Sequence, residues 1–142
     1  MANSIRALLI KRDTAKKGLI IEDTIFIDTL NNLYKLLECD TIDIQVRYIN
    51  GKPYDIIFDD EYMINGKSQE PKNCVAIGTR KGEILEALFG NILICGIAND
   101  KGEETSLNDY DIKAIYKSQK IAQTNDKNEL AIINYHFEET EI

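Results

Sequence analysis

"TIDIQVRYINGKPYDIIF", residues 41–58, decides the fold class. Ile42, Ile44, Val46 and Tyr48 alternate with Asp43, Gln45 and Arg47. A period of two belongs to a strand with one apolar and one polar face. Asn50-Gly51 then offers two residues that accept positive φ, the chemistry of a tight hairpin turn. Tyr54, Ile56 and Phe58 resume the alternation on the way back. The stretch therefore predicts an antiparallel hairpin on which Asp43, Gln45 and Arg47 share a side. Such a face is either solvated or a binding or subunit surface, and Arg47 is the candidate the second alternative puts forward.

Working toward the N-terminus, "KKGLIIED" (16–23) reads as a strand entered by a turn at Lys17-Gly18, and "SIRALLIKR" (4–12) as the strand before it. Ile27, Leu30, Leu33, Leu36 and Leu37 recur at helical spacing, with Asp28 as the expected cap and an end near Cys39. Working toward the C-terminus, "DDEYMINGKSQEPKN" (59–73) reads as a loop and "CVAIG" (74–78) as a short buried strand. "EILEALFG" (83–90) is expected to make one or two helical turns ended by Gly90, and "NILICGIA" (91–98) a second buried strand. Ser106 is expected to start another helix, in an approximate capping box with Asp109, that runs to Ala122. "LAIINYHF" (130–137) is the last expected strand, before an acidic tail. The sum is a single α+β ligand-binding domain over residues 1–142. It has a largely antiparallel sheet of about six or seven strands with two main helices packed on one face.

The bulk numbers bound the class. A chain of 142 residues, 44% apolar, can bury a sizeable core. No apolar run approaches the roughly 20 residues needed to span a bilayer. The opening "MANSIRALLIKRD" lacks a cationic leader ahead of its apolar residues, so it is expected to be a first strand of a cytosolic chain. Cys39, Cys74 and Cys95 are odd in number and far apart, without C-x-x-C spacing, and are expected as buried free thiols. The single histidine, His136, alternates with apolar neighbours and suits a structural or surface role. The net charge of −7 is unevenly placed: residues 1–81 balance at zero and residues 82–142 carry all of it. That pattern disfavours a binder of DNA or RNA polymers, whose affinity rests on a basic stripe. A small anionic ligand needs only a local cationic pocket.

Catalytic signatures are sparse. No dinucleotide or P-loop glycine pattern occurs. "GTRKGE" (78–83) is the one glycine-bounded basic loop, and it makes Arg80 a phosphate candidate. Asp59-Asp60-Glu61, Glu103-Glu104 and Asp109 with Asp111 cluster carboxylates without the spacing of an EF-hand. They suit solvated loops and helix starts, so no catalytic residue and no metal ligand is assigned, and an enzyme is not the expected class. What remains is recognition. Phe89, Asn91, Asn99, Asp100 and Thr105 flank the strand "ILICGIA", where they could converge as a stacking ring and hydrogen-bonding groups; a core Phe89 is the plainer alternative.

The order of three motifs carries a resemblance. "IDTLNNL" (27–33), "YINGKPYDIIFDDE" (48–61) and "GNILICGIANDKGEETSLNDYDI" (90–112) resemble a phage family that includes the Thoeris anti-defence sponge proteins, over most of residues 4–122. The resemblance implies a protein that binds glyco-cyclic ADP-ribose, the signal made by bacterial TIR-domain proteins, and sequesters it uncleaved in the cytoplasm of the infected host. It implies a homo-oligomer, a dimer or higher, with pockets shared between protomers. It extends to cyclic oligonucleotides at a second site that it does not locate, and it implies no cofactor. On the family pattern, Phe89 would stack on the adenine and Asn99 would hydrogen-bond the base or a ribose. Lys113, Lys117 and Lys120 would hold the diphosphate. The helix bearing those lysines has no arginine, which puts bidentate phosphate recognition from it in doubt and leaves Arg47 or Arg80 to compensate. A nucleotide-signal hydrolase, or an acidic module that inhibits a host protein, stays open as an alternative.

Overall fold

A computed structural model describes residues 4–13, 18–60, 74–80, 83–123 and 129–137. The hairpin predicted from residues 41–58 is present: β3 (Ile42–Ile49) pairs antiparallel with β4 (Lys52–Asp59), Ile49 opposite Lys52. Asn50 and Gly51 turn the corner with φ of 53° and 80°, the sign that a two-residue hairpin turn demands. Around it the chain builds two sheets. The first has five strands in the order β2 (Gly18–Ile27), β1 (Ser4–Asp13), β7 (Ile92–Gly96), β4, β3. The second has four: β6 (Glu83–Phe89), β5 (Cys74–Arg80), β9 (Glu129–Asn134), β8 (Gln119–Gln123). Every pairing is antiparallel except β5 with β9.

The two helices lie on opposite faces of the five-stranded sheet, where the sequence pattern suggests one shared face. Strand alternation explains this. In β1, Ile5, Ala7 and Leu9 point into one cluster, with Leu33 and Leu37 of α1 (Leu30–Leu37), while Leu8 and Ile10 point into the other. In β7, Leu93 and Cys95 join the first cluster and Ile92 and Ile94 the second. The second cluster also takes Ile112 and Ile115 of α2 (Asp109–Lys117), Leu88 of β6, and Ala131, Ile133 and Tyr135 in and beyond β9. A central strand buried on both sides needs a cover on each, and each helix has only one apolar stripe to supply.

The strand count is nine among the described residues, because two segments expected as helix are strands. Residues 83–89 form β6, and Gly90, with φ of 80°, ends a strand rather than a helix. Residues 119–123 form β8, so α2 stops at Lys117 and its Ser118 cap. Both segments have strand partners that override their local helical preference. Gly78 in β5 lies beside Tyr135, the residue that follows the neighbouring strand β9 in the same sheet, and a Cβ there would overlap the Tyr135 ring. The helix starts also shift. Thr29, not Asp28, caps α1, accepting the Asn32 N–H at 3.3 Å. Asn108, not Ser106, caps α2 in a reciprocal box with Asp111, at 2.8 and 2.9 Å.

Candidate ligand-binding site

Alternation along β9 decides what lines a groove that carries two lysines. Ala131 and Ile133 face the core, so Ile132 and Asn134 face away from it. Lys120 of β8 stands opposite Ile132 in register. The end of α2 reaches the same place: Asn134 donates its backbone N–H to the Ser118 carbonyl at 2.7 Å. Lys117, Ser118, Gln119, Lys120, Ile132 and Asn134 thus line a shallow groove of about 160 Å³. Gln119 Oε1 is buried without a hydrogen-bond partner. Lys113 is exposed one turn upstream of Lys117, on the same side of α2.

The other sequence candidates are dispersed. Asn91 is buried at the start of β7, where its Nδ2 donates to the Leu36 carbonyl and to Glu38 Oε2, at 3.1 and 2.8 Å. It ties the end of α1 to the sheet. Asn99 lies beyond the far end of β7, a strand that spans about 16 Å. Its Oδ1 accepts the backbone N–H groups of Lys101 and Glu103 at 2.9 and 3.1 Å, so its carboxamide organises its own loop. Asp100 is exposed in that loop. Phe89 ends β6 and Arg80 ends β5; their side chains, like that of Cys74, lie outside the described residues. Asn91 and Asn99 therefore do not converge on one pocket.

Arg47 is committed elsewhere. Its guanidinium bonds Glu86 Oε1 and Oε2 at 2.9 and 3.2 Å and lies 4.5 Å from the centre of the Phe137 ring. Tyr135 donates its hydroxyl to the same carboxylate, and burial followed by that contact pushes the phenol well above its ordinary range. Arg47, on the polar side of β3, therefore clasps the second sheet, while Ile44 and Val46 on its apolar side are exposed. The edge position of β3 inverts the usual arrangement.

Sequence reasoning missed two further clusters. Asp111 of α2 is 2% exposed. Burial works to raise its carboxyl, but hydrogen bonds from Lys52 at 2.7 Å, from the Asn108 backbone and from Tyr54 at 2.8 Å bring it below the usual carboxylate range. At the end of β7, Glu104 and Asp55 are 5% and 4% exposed. Burial, a hydrogen bond to Asp55 and the charge of Asp28 push Glu104 up to about 8. Burial and the same three carboxylates raise the Cys95 thiol far above its normal range, which removes it as a nucleophile. Glu104 was visible only as part of an acidic loop; the loop closes on Gly96, where a Cβ would meet Thr105. Cys39 and Cys95 are buried free thiols, as expected. Among the described residues no group of three His, Cys, Asp or Glu is arranged to hold a metal ion, and no helix is long and apolar enough to cross a membrane.

The fold and groove define an α+β protein with two packed sheets and a cationic groove on the outer side of the smaller one. Residues 5–120 match DUF3846, a domain of unknown function, and the chain belongs to that family. No curated protein and no solved structure matches it.

Proposed function

We propose that this chain is a non-catalytic binding protein that captures a phosphate-bearing nucleotide signal, with the groove between the end of α2 and the outer face of β8–β9 taking the anionic part. The supporting observation is the convergence of Lys117 and Lys120 with the amides of Gln119 and Asn134 around Ile132. Two cations, amide donors and an apolar floor suit a phosphate attached to a ribose. The carbonyl end of α2 opposes an anion at this place, so binding depends on the lysines. Ligand pockets for whole small molecules usually run to about 300–1,000 Å³. The groove is smaller, so in this reading a second protomer completes the enclosure, in keeping with a homo-oligomer. By the sequence resemblance, the signal is a glyco-cyclic ADP-ribose made by bacterial TIR-domain proteins. It is held uncleaved in the cytoplasm of a phage-infected host, so that Thoeris immunity stays silent.

The test is mass spectrometry of small molecules released by heating protein that has been incubated with lysate of TIR-active cells and washed. Wild type should release an intact cyclic ADP-ribose-type molecule, and the double variant Lys117→Ala/Lys120→Ala at least tenfold less. Release of an altered nucleotide would turn the assignment toward a hydrolase. Release of nothing, or equal release from the variant, would end it.

A further inference from the structure

We infer that the loop over residues 97–105 is held against the end of β7 by a single shared proton between Glu104 and Asp55, and that its removal frees the loop. Both side chains are nearly fully buried and share a hydrogen bond. An ionised carboxylate only accepts, so two carboxyl groups joined by a hydrogen bond must hold one proton between them. Asp55 Oδ2 already accepts the Ala98 N–H at 3.0 Å, and Asp28 Oδ2 accepts the Glu104 N–H at 3.0 Å. Glu104 Oε2 is buried with no partner. The groups facing Glu104 are Asp28 from the β2–α1 junction, Asp55 from β4 and the Cys95 thiol from β7. Among the described residues no Lys or Arg pairs with any of these carboxylates, so nothing there compensates a second negative charge. Asp100, Lys101 and Glu103 belong to the loop itself, with Asp100 and Lys101 exposed.

The loop is built to move as one piece. Asn99 gathers it internally through the Lys101 and Glu103 amides. It is fastened to the sheet by the Gly96 N–H to the Thr105 carbonyl at 2.9 Å and by the two carboxylate–amide bonds. Losing the shared proton puts like charges together in a dry site, where they repel strongly. The two carboxylate–amide fasteners then open together.

Carboxyl ¹³C and amide ¹⁵N shifts followed from pH 5.5 to 9.5 test this. The Glu104 carboxyl should titrate near pH 8, and the amides of Ala98 and Glu104 should shift with the same midpoint. Glu104→Gln can donate to Asp55 and has no proton to lose, so in that variant the backbone amides at positions 98 and 104 should stay flat. A Glu104 carboxyl that titrates in the ordinary range, amides that do not follow it, or a variant that moves like wild type would overturn the inference. The wild-type titration decides alone should the variant fail to fold.

Discussion

The two faces of the five-stranded sheet bury charge in opposite ways. Toward the second sheet, acids meet cations: the half-buried Glu86 meets Arg47 at 2.9 Å, and the buried Asp111 meets Lys52 at 2.7 Å. Toward α1, Glu104 meets Asp55 and Asp28, all acids. The first arrangement fastens by opposite charge. The second works only while a proton is present. What a buried carboxylate does in this protein is set by its partner, not by its burial, since all three of Asp55, Glu104 and Asp111 are at most 5% exposed.

The contrast breaks most severely where the compensated face has no room. Gly78→Ala drives a methyl into Tyr135, whose hydroxyl completes the Glu86 network. Overpacking of a fully buried ring should lower stability by about 3 kcal/mol, read as the urea midpoint. Adding Tyr135→Ala should not add its full cost, because the clash has gone. Strict additivity of the two changes would show that residue 78 and the Tyr135 ring do not press on each other.

Arg47→Ala comes next. It leaves the Glu86 carboxylate with Tyr135 as a remaining donor and removes the cation from Phe137. Breaking a fully buried pair costs roughly 3–5 kcal/mol. The side chains here are 13% and 24% exposed, so about 2 kcal/mol is expected. The double change Arg47→Met/Glu86→Gln should recover more than half of it. A double variant no better than the single would mean that packing, rather than charge, holds the sheets together.

The uncompensated face should show itself as a slope. Folded Glu104 keeps its proton up to about pH 8, while the unfolded carboxyl releases it near 4.5. The group's contribution is therefore complete below the lower value and falls as pH rises, to vanish above the higher one. Between them the slope approaches about 1.4 kcal/mol per pH unit. Asp23 and Asp111 are shifted the other way, so their contributions are present at neutrality and lost only in acid. They are silent between pH 5.5 and 7.5. Urea midpoints over that interval should fall for wild type and stay level for Glu104→Gln. A level wild type would place no proton between Glu104 and Asp55.

Much of the fold was legible because one periodicity dominates each segment. Strict alternation named β3 and β4, and the Asn50-Gly51 pair named their turn. The strand "ILICG" was readable as buried because it is apolar on both faces, which a central strand requires. The failures have a common cause. "EILEALF" and "QKIAQ" carry helix-favouring residues, and only pairing with β5 and β9 makes them strands. Segment-by-segment reading cannot see a partner that lies far along the chain. The site suffered more. Lys113 and Lys117 were readable as cations on one helix. Gln119 and Asn134 were not, since their convergence depends on the unforeseen β8. Asn91 and Asn99 look alike in sequence at the two ends of one strand, yet Asn91 is consumed by long-range bonds to the end of α1 and Asn99 by bonds within its own loop, which only the folded chain reveals.

The smallest expected effect separates two polar residues that the sequence could not rank. Asn108 caps α2 and accepts the Asp111 N–H, while Ser106 instead accepts the Arg6 N–H through its hydroxyl at 3.0 Å. Asn108→Ala should lower stability by about 1 kcal/mol, the usual loss for a removed cap. Ser106→Ala should cost about 0.5 kcal/mol, because an exposed side-chain hydrogen bond is readily replaced by water. The difference also probes the compensated face. Asp111 keeps Lys52, Tyr54 and the residue-108 backbone N–H in the Asn108 variant, so its carboxyl should still titrate below the ordinary range. If that carboxyl instead rises to the ordinary range, the cap rather than Lys52 and Tyr54 holds Asp111 ionised, and the opposition between the two faces loses one of its two compensated examples.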